Sequence, residues 1–299
     1  LKTLISIIGS TGIGKTKLAI EIAKHFDTEI ISCDSRQFFK EMKIGTAMPT
    51  PEELAAVKHH FVGNLSVTDY YSIGQYETDA LQKIEEIFLE KDTIVLVGGS
   101  MMYEKAVAEG LNDLPTANAE NQQKLEEIWK EEGLERLQEI LKSLDEEYYE
   151  IVHKENPRRL LRAIDVIWQT GKKFSELTAI PTEKRNFKLH RIGIRSPREI
   201  MYERINQRVD KMLENGLLEE VKTLVQYKDL VPLQTVGYTE IFKYLDGTWD
   251  FDFAIEEIKK NSRRYAKRQE TWNRKVENVN WLDYDYSEEN LMEILEKIN

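Results

Sequence analysis

The octapeptide Gly9-Ser10-Thr11-Gly12-Ile13-Gly14-Lys15-Thr16 constrains this chain more than any other segment. It matches G-x-x-x-x-G-K-[ST] in full. Before it lies a short β-branched run, Leu4 to Ile8, and after it Leu18, Ala19, Ile22 and Ala23 recur at helical spacing. A buried strand, a glycine-rich turn and a helix amino terminus in that order form an anion cradle. Successive N–H groups and the helix terminus supply positive potential, Lys15 adds a point charge, and the Thr16 hydroxyl suits Mg²⁺. A strand this apolar needs both faces covered, so a parallel sheet is expected around it.

Four more segments read as strands: Glu29 to Cys33, Thr93 to Val97, His190 to Ile194 and Val279 to Leu282. Helical stretches lie between them, notably Tyr76 to Lys91 and Ile200 to Tyr227, and this alternation predicts an α/β parallel sheet flanked by helices. The alternation lapses between Asp113 and Glu183, where helices are expected over 118–129, 134–144 and 158–170. We therefore expect a core domain built from residues 1–112 and 184–299, interrupted by a helical insertion domain over 113–183. A chain of 299 residues suits one core with a sizeable insertion.

Charge needs a positional reading. There are 42 Lys and Arg against 53 Asp and Glu, a net −11 that on average disfavours a polyanionic partner. Between Lys259 and Lys275, however, eight basic residues face one acid, Glu270, so that window carries +7 and the remainder −18. Ile255, Ile258, Tyr265, Trp272 and Val276 share one helical face, and Lys260, Arg264, Lys267, Thr271 and Arg274 another. Such a stripe is either a solvated face or a surface for phosphates, with aromatic rings nearby to stack on unpaired bases. Arg158, Arg159 and Arg162 form a second cluster, just after Pro157 at the expected start of a helix. Cations there oppose the helix dipole at a cost of about a few tenths of a kcal/mol, which makes sense if an anion is to be bound.

No run approaches the roughly 18 to 20 apolar residues that span a bilayer. Cys33 is the only cysteine, so disulfides and cysteine-built zinc sites are excluded. The first residues run straight into the phosphate loop with no signal-peptide pattern, and a cytoplasmic protein is expected. His59 and His60 are adjacent, point apart, and have no third ligand at suitable spacing, so structural hydrogen bonds are expected of them. Nucleotide hydrolases usually carry a Mg²⁺-binding Asp at the end of a later strand. Here that strand ends in Gly98-Gly99-Ser100, and the strand-end carboxylate is Asp34, after the second strand. At the carboxyl edge of a parallel sheet Asp34 should face the phosphate loop, either as a base for an acceptor or as the cap of the following turn.

Several motifs in combination resemble the tRNA dimethylallyltransferases (tRNA isopentenyltransferases) over nearly the whole chain. They are the phosphate loop, Asp34-Ser35-Arg36-Gln37, Ile44-Gly45-Thr46-Ala47, His59-His60, and Gly98-Gly99-Ser100-Met101-Met102-Tyr103. Further on come Asn156-Pro157-Arg158-Arg159, the run Arg204 to Met212 with Gly216, Val236-Gly237-Tyr238, and Lys267-Arg268-Gln269-Glu270-Thr271-Trp272. The chain departs from the family after Leu114-Pro115-Thr116-Ala117, where members often carry an Arg and this sequence has Asn121-Gln122.

The resemblance implies a P-loop kinase-like sheet and an insertion that grips the anticodon arm. It implies transfer of a dimethylallyl group from dimethylallyl diphosphate to the N6 amine of the adenosine 3′ of the anticodon, with Mg²⁺ and without ATP as substrate. By the same resemblance the catalytic set is Asp34, Ser100, Lys15 and Arg208. Asp34 takes the N6 proton, and Ser100 stands where the family usually has threonine. The diphosphate falls to Gly9, Ser10, Thr11, Gly12, Ile13, Gly14, Lys15, Thr16 and Arg208, with Arg204 able to share the clamp, and the metal to Thr16. Contacts to tRNA fall to Asp34, Ser35, Arg36, Gln37 and Ser100, to Arg158, Arg159 and Arg162, to Val236, Gly237 and Tyr238, and to Lys267, Arg268, Gln269, Trp272 and Arg274. A monomer is expected. An isopentenyltransferase acting on free adenine nucleotide is the alternative, although a free nucleotide needs no extended basic surface. A small-molecule P-loop kinase lacks support at the strand before Gly98.

Overall fold

The computed structural model describes residues 2–298. It divides into two compact units: Glu109–Lys184, and the segments before and after it. The expected insertion limits, 113 and 183, fall within a few residues of these bounds.

The larger unit is built on a six-stranded parallel sheet in the order β3-β2-β4-β1-β5-β6. Its strands are β1 (Thr3–Gly9), β2 (Ile30–Ser32), β3 (His59–His60), β4 (Thr93–Val97), β5 (Lys188–Arg195) and β6 (Val279–Asp283). Five of the six match the sequence expectation. The sixth, β3, has only two residues and neither is fully buried, so it gave no apolar signal.

Side chains alternate between the two faces of each strand, and the core follows that period of two. Ile5, Ile7, Val95 and Val97 pack with Leu18 and Ile22 of the Lys15–His25 helix on one face. Leu4, Ile31, Ile94 and Leu96 pack on the other with Tyr76, Ile84 and Ile258. Each of these fully buried side chains contributes about 1.5–3 kcal/mol relative to exposure. Ser6 and Arg191 also point to the second face, where both donate to the buried Glu104 carboxylate at 2.8 and 2.9 Å. That pairing removes the penalty a lone buried charge would incur.

The expected helical stretch over Ile200 to Tyr227 consists of two helices, Arg198–Glu214 and Leu217–Thr223, followed by a 3₁₀ turn at Val225–Tyr227. The break lies at Gly216, whose φ of 96° ends one helix and opens the next.

The smaller unit is all helical. Its three expected helices are Ala119–Glu132, Leu134–Leu144 and Pro157–Thr170, and two short ones, Glu146–Ile151 and Phe174–Ala179, went unread. Leu125, Leu137, Leu141, Leu160 and Ile164 form its core. Asp145, 1% exposed, accepts from the backbone N–H groups of Tyr148 and Ser175 and so ties the two short helices together.

Candidate active site

The carboxyl ends of neighbouring strands β2, β4 and β1 bring Asp34, Gly98-Gly99-Ser100 and the phosphate loop to one edge of the sheet, the edge at which open parallel sheets bind ligands. Asp34 Oδ1 accepts from the Arg36 N–H at 3.1 Å, and Oδ2 accepts from the Gly99 N–H at 3.2 Å. The carboxylate therefore both caps its own turn and lines a cavity, which joins the two readings left open by sequence. The contact requires glycine on the β4 side. A Cβ at Gly98 would lie 2.4 Å from the Cys33 carbonyl carbon, and one at Gly99 2.8 Å from Asp34 Oδ2. Ser100 braces the same junction, because its Oγ accepts from the Ser35 N–H at 2.9 Å and lies 2.8 Å from Ser35 Oγ.

The phosphate loop faces this carboxylate. Lys15 Nζ folds over the loop and donates to the carbonyls of Gly9 and Ser10 at 3.0 and 2.9 Å. Burial lowers its pKa to about 8, against an opposing pull from Asp34. Arg208 donates to Thr11 Oγ1 at 3.2 Å and to the Thr46 carbonyl at 3.3 Å, and burial lowers its pKa as well. Arg204 reaches the rim, donating to the Gly12 carbonyl at 3.0 Å. Both arginines thus touch the loop, with Arg208 inside and Arg204 exposed.

Two cavities meet here. One, of about 390 Å³, is bordered by Lys15, Thr16, Gly12 and Arg204. The other, of about 250 Å³, is bordered by Ser35, Arg36, Ser100 and the apolar Ile205, Met212 and Val236. Thr11, Asp34, Arg208 and Tyr265 line both. An anion seated on the loop would therefore present its far end to Asp34, and a second molecule can approach the same carboxylate from the other side.

The structure redistributes several expected tRNA contacts. Gln269 is 1% exposed and lies on the wall of the cavity at the phosphate loop, not on the outer face of the basic helix. Its Oε1 accepts from the Thr11 N–H at 2.8 Å and its Nε2 donates to the Gly99 carbonyl at 2.7 Å. Tyr238 is fully buried, with its hydroxyl donating to Glu220 at 2.7 Å and its ring filling the space above Gly45. Its neighbours Val236 and Gly237 do border the acceptor-side cavity. Gln37 spends its amide N–H groups on the carbonyls of Thr46 and Ala47. Trp272 is half-buried and borders a small void with Gly9, Gly98 and Gly99. Arg162 turns inward to the Pro115 carbonyl at 2.6 Å and to Asp165, whereas Arg158 and Arg159 are exposed.

The basic helix, Phe251–Asn273, divides in the same way. Lys259 pairs with Asp210, Lys260 with Glu257, and Arg263 donates to Asn206. The exposed cations are Arg264, Lys267, Arg268, Arg274 and Lys275. His59 and His60 make structural hydrogen bonds, to the Val57 carbonyl and to Glu29.

Sequence reasoning missed Tyr265, whose hydroxyl donates to the Gly99 carbonyl at 2.9 Å, and Glu220. The Glu220 carboxylate accepts from three successive N–H groups, those of Lys43, Ile44 and Gly45, and so shapes the loop that carries Thr46. Tyr265 and Gln269, one turn apart on the packed face, were legible as polar atoms inside an apolar stripe. Nothing distinguishes Glu220 from the acidic residues around it.

A parallel sheet with a phosphate loop opposite a carboxylate, and a cavity on either side of that carboxylate, defines a group-transfer enzyme with an anionic donor. The IPP transferase family model matches residues 37–276. A tRNA dimethylallyltransferase of Christiangramia forsetii is 50% identical over 297 residues, which cover 99% of this chain and 98% of that protein. One from Bacteroides thetaiotaomicron is 47% identical, covering 94% and 92%. A tRNA isopentenylpyrophosphate transferase of Bacillus halodurans, solved at full length, superposes with a TM-score of 0.74 at 35% identity, covering 100% of this chain and 96% of that one. A eukaryotic dimethylallyltransferase solved acting on tRNA gives a TM-score of 0.85 at 27% identity, covering 100% and 78%. The chain belongs to the IPP transferase family.

The lowered Lys15 pKa makes anion binding pH-dependent. Its proton is lost as pH rises through about 8, so the cationic form that attracts an anion disappears over that range. Calorimetric titration with inorganic diphosphate should show weaker binding at pH 9 than at pH 7, with a smaller difference in Lys15→Arg. Equal pH dependence in the two proteins contradicts the assignment.

Proposed function

We propose that this protein transfers the dimethylallyl group of dimethylallyl diphosphate to the N6 amine of the adenosine 3′ of the anticodon in tRNA, releasing diphosphate. The observation that carries the reading is the pair of cavities meeting at Asp34, one on the phosphate loop and one with an apolar wall. Family membership and the relatives named above support the same reaction.

In this reading the diphosphate lies on the phosphate loop. Lys15 and Arg208 neutralise the charge that builds on the departing oxygens, and groups aimed at developing charge in a closed site contribute several kcal/mol. The N6 nitrogen attacks the allylic carbon, the carbon–oxygen bond breaks, and the N6 proton passes to the Asp34 carboxylate. Ser100 and Ser35 hold the Asp34 turn against β4 while this happens. The apolar wall of Ile205, Met212 and Val236 keeps water from the partly cationic carbon.

Among the described residues no cluster of His, Cys, Asp or Glu would hold a metal by itself, and Thr16 borders the phosphate-side cavity. These residues fit a Mg²⁺ ion held mainly by the substrate's own phosphate oxygens together with the Thr16 hydroxyl. When bound, the ion supplies further neutralisation of the leaving group.

The acceptor base must be unstacked to reach Asp34, at a cost of a few kcal/mol, least for a loop nucleotide. Arg264, Lys267 and Arg268 on the basic helix and Arg274 just past its end, with Arg158 and Arg159 on the insertion, are the exposed cations assigned to the tRNA backbone. Arg36 beside Asp34, and Val236 and Gly237 across the cavity, are assigned to the base. No helix among the described residues is long and apolar enough to cross a membrane, and a tRNA substrate is in keeping with the expected cytoplasmic location.

The test is incubation with labelled dimethylallyl diphosphate, Mg²⁺ and either unmodified tRNA or AMP, followed by nucleoside analysis. Label in N6-modified adenosine of tRNA supports the reading, and label in AMP alone, or in neither, refutes it. Asp34→Ala should lower kcat by about 10²- to 10⁴-fold while diphosphate affinity changes little; retention of a tenth of the activity would remove Asp34 as the base. Replacing Lys267 and Arg268 together by Ala should weaken tRNA binding and flatten its salt dependence by roughly one logarithmic unit per lost phosphate contact. An unchanged slope would take that helix out of the interface.

A further inference from the structure

Gln269 spans the site between its two working halves. Its Oε1 accepts from the Thr11 N–H of the phosphate loop, and Thr11 Oγ1 in turn accepts from Arg208. Its Nε2 donates to the Gly99 carbonyl, and the N–H of the same Gly99 holds Asp34 Oδ2. A continuous path of hydrogen bonds therefore runs from Arg208 through Thr11, Gln269 and Gly99 to Asp34. Only a carboxamide fits the middle of it: one end must accept from a backbone N–H and the other must donate to a backbone carbonyl. Glutamate would set two acceptors face to face at Gly99, and an apolar residue would leave the Thr11 N–H without its partner and the Gly99 carbonyl held by the Tyr265 hydroxyl alone. With the Thr11 N–H taken up in this way, the anion is left to the other N–H groups of the loop.

We infer that Gln269 is a positioning residue that fixes the separation between the diphosphate loop and the Asp34 carboxylate. The inference rests on the transfer reaction proposed above. Both reacting partners are then set by one side chain on the wall of the phosphate-side cavity, through its bonds to Thr11 and Gly99. A misplacement of about 1 Å between reacting groups can lower a rate by about 10²-fold. The effect of losing Gln269 therefore belongs in kcat and not in the affinity of either substrate.

The test uses the full chain with Gln269→Glu and Gln269→Leu, compared with wild type by steady-state kinetics on unmodified tRNA, calorimetric binding of inorganic diphosphate, and thermal unfolding. Gln269→Glu keeps the acceptor for Thr11 and loses the donor to Gly99; Gln269→Leu loses both. Each should show kcat reduced by about 10- to 100-fold and a cooperative melt; in Gln269→Leu KM for both substrates and Kd for diphosphate stay within about two-fold of wild type, whereas the carboxylate of Gln269→Glu, on the wall of the phosphate-side cavity, also weakens diphosphate binding. If Gln269→Leu does not fold, Gln269→Glu decides the matter. A Gln269→Glu protein with kcat within two-fold of wild type overturns the inference. So does a loss that falls on KM for tRNA with kcat intact, which would mark a tRNA contact. If the wild-type chain is active and the variants behave in either of those ways, only the role of Gln269 fails; a wild-type chain that modifies no tRNA refutes the transfer reaction itself.

Discussion

The hydrogen bond from the Gly99 N–H to the Asp34 carboxylate joins the parts of this molecule that do chemistry. It exists because β2 and β4 are neighbours in a parallel sheet, so the turn after one lies beside the turn after the other. It is short enough to form because position 98 has no side chain: a Cβ there would overlap the Cys33–Asp34 peptide. The adjoining β1 brings the phosphate loop to the same edge, and the Ser35–Ser100 pair repeats the link one residue further on. Sheet order, two glycines and two serines thus set where the Asp34 carboxylate stands relative to the phosphate loop, which in the proposed reaction places base and anion before any substrate arrives. Preorganisation of this kind saves reorganisation at the moment of reaction.

Electrostatics are arranged on the same plan. Lys15 and Arg208 are held beside Asp34 in a partly desolvated pocket, where burial disfavours their charged forms. A multiply charged anion reverses that penalty on binding. The chain is acidic overall, and the exposed cations of its basic run, Arg264, Lys267, Arg268, Arg274 and Lys275, lie toward and just past the end of one helix. Three basic residues of the run, Lys259, Lys260 and Arg263, are spent on neighbouring side chains. The surface offered to a polyanion is correspondingly smaller than a count of charges suggests.

Sequence carried the fold a long way. The apolar runs that became β1, β2, β4, β5 and β6 are short and β-branched, and the lapse of strand–helix alternation from Asp113 falls close to Glu109, where the second unit starts. What it did not carry were elements stabilised by tertiary contacts. The two-residue β3 exists through its pairing with β2, and the break at Gly216 depends on a positive backbone angle. At the site, the phosphate loop, Asp34, Ser100 and Arg208 come together as the motifs imply. Gln269, Tyr238 and Arg162 did not become surface contacts, because a motif records that a residue matters and leaves open whether it meets a ligand or holds something that does. The burial of Gln269 and Tyr238 and the hydrogen bonds of all three supply the missing distinction.

The central claim is that the phosphate loop holds a diphosphate that departs from carbon, so that the bond broken is carbon–oxygen and no phosphorus–oxygen bond is touched. Dimethylallyl diphosphate carrying ¹⁸O at the bridging position between carbon and phosphorus tests this directly, with unmodified tRNA as acceptor and mass spectrometry of the products. The account predicts that all of the label leaves in diphosphate, in step with prenylated adenosine. Label in dimethylallyl alcohol, or release of monophosphate, would show cleavage at phosphorus and contradict it.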